Sequence, residues 1–131
     1  MAKQYDPTPS EYPSQLAFDA TMQRLTQAIA GAGMQVFAVI DHAANAREAG
    51  QTMPPSTVLI YGKGAGGTPI MLASPLSALD LPLRVLVHET AGQTTIAFHP
   101  AAPMLIAAGV PETLAGRLDP AQALLLKAIA S

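Results

Sequence analysis

The sequence predicts an α+β fold: a single, mostly antiparallel sheet with helices packed on one face, in the order β-α-β(4)-α. Three observations predict it. An apolar run, Met34–Ile40, ends abruptly at Asp41-His42 and an alanine-rich stretch, so a strand hands over to a helix. Two further apolar runs, Leu81–Glu89 and Thr94–Phe98, flank Ala91-Gly92, the pattern of a hairpin. Near each end, large apolar residues recur at helical spacing, first at Phe18, Met22, Leu25 and Ile29, and again at Leu124, Leu125 and Ile129. Two such helices would cover one face of the sheet and leave the other to water or to a partner.

The elements follow in chain order. Residues 1–13 contain Pro7, Pro9 and Pro13, which hold themselves and their predecessors extended, so they read as a flexible lead-in to a single domain over 14–131, with an edge strand near Tyr12–Ala17. The first helix starts at Phe18 with Asp19 in its first turn and stops at Gly31 or Gly33. Met34–Ile40 reads as a buried strand, and Asp41 as the cap of a short helix, His42–Ala49, closed by Gly50. After the turn Met53-Pro-Pro-Ser-Thr57 comes the apolar strand Thr57–Tyr61. Gly62–Gly67 reads as a loop, followed by a turn or two of helix in Thr68–Ala73 before Pro75. In the hairpin a turn centred on Ala91-Gly92 sets Val87 opposite Ile96 and Val85 opposite Phe98 on one side. It sets Arg84 opposite His99, Leu86 opposite Ala97 and His88 opposite Thr95 on the other. Pro103–Ala108, a break at Gly109-Val-Pro111 and a helix over Pro120–Ala130 complete the chain.

Composition narrows the function classes. With 131 residues the chain has the length of one ordinary domain. Half of its residues are hydrophobic and only 12% are charged, a balance that favours hiding apolar surface by self-association. The formal charge is −2 and the basic residues are scattered, so there is no basic stripe to displace counterions from a nucleic acid backbone. The absence of cysteine excludes disulfides, thiolate metal sites and thiol catalysis. No run approaches the roughly 20 apolar residues that span a bilayer, and the first ten residues lack the apolar core of an export signal. The expectation is a cytoplasmic protein with neither a membrane nor a nucleic acid as partner.

Four blocks resemble one family. They are Thr21-Met-Gln-Arg24-Leu25, Ile40-Asp41-His42-Ala43 with Ala46, Val58-Leu-Ile-Tyr-Gly62, and Gly67-Thr68-Pro69-Ile70-Met71 leading to Leu79-Asp80-Leu81-Pro82-Leu83. Together they cover roughly residues 18–99 and resemble the domain of unknown function 302 family (DUF302), a bacterial and archaeal group without an assigned activity. The resemblance implies a compact α+β domain with a layout like that of the TATA-binding protein, and a dimer. Two blocks depart from the family pattern. Tyr61-Gly62-Lys63-Gly64 stands where the family usually has Phe-Gly-Asn-Pro, and Phe98-His99-Pro100 stands where it has Tyr-Asn before a helix.

Several residues bear on chemistry. Gly62-Lys-Gly-Ala-Gly-Gly67 formally fits the G-x-G-x-x-G pattern after a strand, yet the short segment before Pro75 offers no long helix to complete a dinucleotide fold. A glycine turn explains it as well, and an anion held near Lys63 is the functional alternative. Asp41 and His42 could form an acid–base pair, or with His88 or His99 a metal site, whereas the plainer role for Asp41 is to cap the helix that it precedes. No Ser, Thr or Lys sits in a base-and-orienter arrangement. The reading that unites these features is a homodimer binding a small ligand, an anion among the options, in a cleft lined by strand-end loops. Lys63, Thr68, Arg84 and His99 are the binding candidates, and Asp41 and His42 the catalytic ones. The rivals are a metal-assisted hydrolase or lyase using Asp41 and His42, and an interaction module without catalysis. The residues name no cofactor.

Overall fold

The computed structural model describes residues 5–130, so Met1–Gln4 of the expected lead-in lie outside the described residues, as does Ser131. Five strands form one antiparallel sheet in the order β1-β5-β4-β3-β2. They are β1 (Ser10–Pro13), β2 (Gln35–Asp41), β3 (Ser56–Gly62), β4 (Leu83–Thr90) and β5 (Gln93–Phe98). The expected β-α-β(4)-α sequence is present with short helices inserted. β1 starts earlier than the sequence suggests: Ser10–Pro13 pairs with β5, and the chain leaves the ladder where an edge strand through Ala17 was expected. Pro13 fits because this strand is at the sheet edge, where a missing N–H breaks no inner ladder.

The helices are α1 (Phe18–Gly31), α2 (His42–Glu48), α3 (Gly64–Ala73), α4 (Ala101–Ala107), α5 (Glu112–Ala115) and α6 (Asp119–Ala128), with 3₁₀ turns at Pro75–Asp80 and Gly116–Leu118. Leu25 and Ile29 of α1, Ile70 of α3, Met104 and Leu105 of α4 and Leu125 of α6 share one core with Leu59, Tyr61, Val85, Val87, Ile96 and Phe98 of the sheet. Those strand residues alternate along their strands, so they occupy one face of the sheet. α1 and α6 pack against each other over it.

Polar bonds fix the joints between these layers. Ser14 and Thr21 share a buried hydroxyl pair at 2.7 Å, and the Ser14 hydroxyl also accepts from the Leu16 N–H at 3.1 Å, which steers the chain into α1. The buried Gln122 amide accepts from the Ala101 N–H at 2.9 Å and donates to the His99 carbonyl at 2.8 Å, pinning the turn after β5 to α6.

The hairpin turn and its near register match the sequence reading, but the ladder ends at Leu86 with Ala97, short of the expected pairs of Val85 with Phe98 and Arg84 with His99, which lies beyond β5. Thr90 pairs with Gln93, and the two residues between them both have positive φ, 52° at Ala91 and 79° at Gly92, as in a type I′ turn that follows strand twist. Val87 pairs with Ile96, His88 with Thr95, and Leu86 with Ala97.

Two expectations are corrected. The expected loop over Gly62–Gly67 is instead the end of β3 and the first turn of α3, which starts at Gly64 and includes Pro69. Packing overrides the low helix propensity of glycine there, because the first turn lies against the 3₁₀ turn: a side chain added at Gly66 would meet Leu118 at 3.8 Å. The strand expected to be buried, Met34–Ile40, is an edge strand, with Phe37 46% and Val39 58% exposed. Its register shifts between Val36 and Ala38, so Phe37 is the extra residue of a β-bulge.

The opposite face of the sheet carries its own pattern. Ile40, Val58, Leu86 and Ala97 are paired in one row across β2, β3, β4 and β5, with Glu11 of β1 at the end. Ala38, Ile60 and Arg84 form the next row. None of these apolar side chains belongs to the core cluster.

Candidate functional site

A cleft of about 460 Å³ opens on the helical side of the sheet, between the end of β3, the first turn of α3 and the start of α6. Its size is that of a small-molecule pocket. Met34, Phe37, Met71, Leu81, Leu118 and Leu124 supply its large apolar side chains. The bulge contributes directly, since it places Phe37 at this mouth, 3.8 Å from where a side chain on Gly62 would begin. Gly62, Gly64, Gly66 and Gly67 also line it, and of these only Gly64 has open space where a side chain would begin. A Cβ at Gly67 would already be 3.7 Å from Met71.

Tyr61 lies fully buried at the base of the cleft, and its hydroxyl donates to the Ala121 carbonyl at 2.9 Å. Burial pushes this phenol well above the usual tyrosine range, because the phenolate would lose its hydration. It is therefore a neutral donor and not a base.

The charged groups of the lining are Lys63 and Arg117; no carboxylate is among them. Neither side chain has an ion-pair or hydrogen-bond partner among the described residues. Lys63 caps the entry to α3 and Arg117 sits in the 3₁₀ turn before α6. Gly66 and Leu118 bring those two segments within van der Waals reach, the Lys63 ammonium lies 3.9 Å from where a side chain on Gly33 would begin, and both cations line the one cleft.

Of the sequence candidates, Lys63 alone lines this cleft. Thr68 is exposed on α3 and its hydroxyl donates back to the Gly64 carbonyl at 2.7 Å. Asp41 and His42 are exposed at the start of α2, and an Asp41 carboxylate oxygen accepts from the Ala44 N–H at 2.9 Å as a helix cap. Arg84 lies on the open sheet face. On that face His88 contacts Thr90 at 3.2 Å and the Glu11 carboxylate at 3.8 Å. His99 follows β5 with a buried ring Nδ1 that has no partner among the described residues. Nor do the described residues hold any group of three or more His, Cys, Asp or Glu side chains disposed to bind a metal, so His42, His88 and His99 are not brought together. Sequence reasoning missed Arg117, Phe37 and Leu118. An exposed arginine in a short turn carries no signal, whereas the bulge that turns Phe37 into the cleft emerges only from strand pairing.

The family model for the domain of unknown function DUF302 matches residues 10–131. The chain belongs to the DUF302 family. The crystal structure of an uncharacterised conserved DUF302 protein from Bacillus stearothermophilus superposes with a TM-score of 0.78, covering 92% of this chain and 94% of that one at 16% identity. At that identity the likeness is one of fold. Fluoride-specific ion channel FluC 1 of Brucella suis biovar 1 is 39% identical over 69 residues, which is 53% of this chain and 27% of that protein. Fluoride-specific ion channel FluC 2 of Brucella melitensis biotype 1 matches equally over 26% of its length. This DUF302 chain thus spans only about a quarter of those curated relatives, and among its described residues no helix is long and apolar enough to cross a membrane.

Proposed function

We propose that this DUF302 chain is a ligand-binding domain that holds a small molecule in the cleft between β3, α3 and α6 and works as a homodimer joined through its open sheet face. The cleft is the observation that carries the reading. It has the volume of a ligand pocket, largely apolar walls, few polar groups, and a floor fixed by Tyr61. The apolar row Ile40, Val58, Leu86 and Ala97, outside the core, supports the second copy. The partial match to longer channel proteins fits a domain that is built into larger chains as an accessory. A catalytic role for Asp41 and His42 draws no support from their exposure outside the cleft.

The test is a titration with a neutral apolar fluorophore, N-phenylnaphthylamine, on the full chain and on Gly66→Phe, which fills the cleft from its α3 side. Saturable binding to the parent that disappears in a variant of unchanged circular dichroism supports the pocket. Equal binding by both, or none by the parent, removes it.

A further inference from the structure

We infer that the cleft selects an amphiphile: a compact apolar body bearing a single anionic head, with the head held between Lys63 and Arg117. This inference rests on the ligand-binding reading above and names the class of ligand. Size comes first. At about 30 Å³ per non-hydrogen atom, the liquid-water share, a cleft of about 460 Å³ takes a molecule of roughly 15 such atoms. That is the scale of a medium-chain acyl group or a substituted aromatic acid.

Polarity decides the rest. Met34, Phe37, Met71, Leu81, Leu118 and Leu124 offer the body of the guest no hydrogen bonds, and the Tyr61 hydroxyl is already committed to Ala121. Two methionines in the lining, Met34 and Met71, let the surface adapt to branched or straight chains. The two charges at the mouth have the same sign, although the chain as a whole is net negative. They have no carboxylate partner among the described residues, and no acid lines the cleft to compete for them. An apolar cleft without those cations would favour an uncharged alcohol over its carboxylate, since the anion gives up more hydration on entering. The cations reverse that preference. A guanidinium and an ammonium serve a carboxylate or a phosphate monoester alike, as a forked and a point donor.

The experiment titrates the full chain with decanoate, decyl phosphate and decanol, and repeats each on Lys63→Gln, Arg117→Gln and the double variant. An anion bound at least ten-fold tighter than decanol supports the inference. So does a three- to five-fold loss of anion affinity per substitution, with decanol unaffected; the modest size reflects two solvent-exposed cations. The relative affinities of decanoate and decyl phosphate assign the head, and either order supports the class. Decanol binding as tightly as both anions, or anion affinity unchanged in the double variant, overturns the inference while leaving the cleft intact. Failure of all three ligands together with N-phenylnaphthylamine would instead remove the cleft reading itself.

Discussion

The Tyr61 hydroxyl reaches the Ala121 carbonyl at 2.9 Å, a bond across 60 positions of sequence that fastens β3 to α6 beneath the cleft. Replacing Tyr61 by Phe keeps the ring and removes only this bond, so the expected loss is about 1 kcal/mol of folding stability. Urea unfolding of the two proteins measures it.

The same phenol makes an alkaline prediction. Its pKa in the folded chain lies above the ordinary 10.0, so the unfolded chain loses this proton first as pH rises. Folding stability is then fully present below about pH 10.0 and falls at higher pH. Denaturation midpoints from pH 8 to 11 should decline more gently in Tyr61→Phe than in the parent. Parallel curves would show that Tyr61 does not set the alkaline limit.

Asp41 separates capping from catalysis. Asp41→Ala removes the acceptor for the Ala44 N–H and should lower stability by about 1 kcal/mol, while Asp41→Asn restores most of it. Binding of N-phenylnaphthylamine should be the same in all three proteins. A loss of binding in the alanine variant at full helicity would bring Asp41 back as a ligand contact.

The open sheet face predicts assembly. Leu86 lies mid-row between Val58 and Ala97, so Leu86→Glu would bury a carboxylate among apolar side chains if two copies meet there. Sedimentation velocity at micromolar concentration should show a dimer for the parent and a monomer for this variant. A parent that sediments as a monomer, or a variant that stays dimeric, rejects that interface.

Gly31 closes α1 with an ordinary negative φ, and an added Cβ would meet nothing within 4 Å. Gly31→Ala should therefore stabilise the chain by roughly 0.5–1 kcal/mol through the unfolded state and helix propensity. Gly33, at φ 77°, should respond in the opposite direction.

These outcomes divide along the line between what local sequence encodes and what packing decides. The hairpin was legible because Ala91-Gly92 admits positive φ and because alternation fixes which side chains face the core. The helix periodicity of Leu25 and Ile29 was legible for the same reason, as was the Asp41 cap. Strand order was not: nothing local to Met34–Ile40 distinguishes an inner strand from an edge, since apolar content is high in both. The glycine run was misread because its helical state depends on Leu118, more than fifty positions away in sequence. Among the site residues, Lys63 could be proposed from its place at a strand end, whereas Arg117 acquires meaning only once the two segments meet.

The bulge at Phe37 has a bearing on solubility as well as on the cleft. β2 lies at the margin of the sheet with a large apolar side chain at three of its positions, Phe37, Val39 and Ile40, each more than a third exposed. A margin of that kind invites other chains to add strands without end, as in fibrils. The extra residue bends the strand and spoils the regular spacing that a newcomer would need to continue the ladder. Deleting Phe37 would therefore straighten the margin and open a route to ribbon-like polymers.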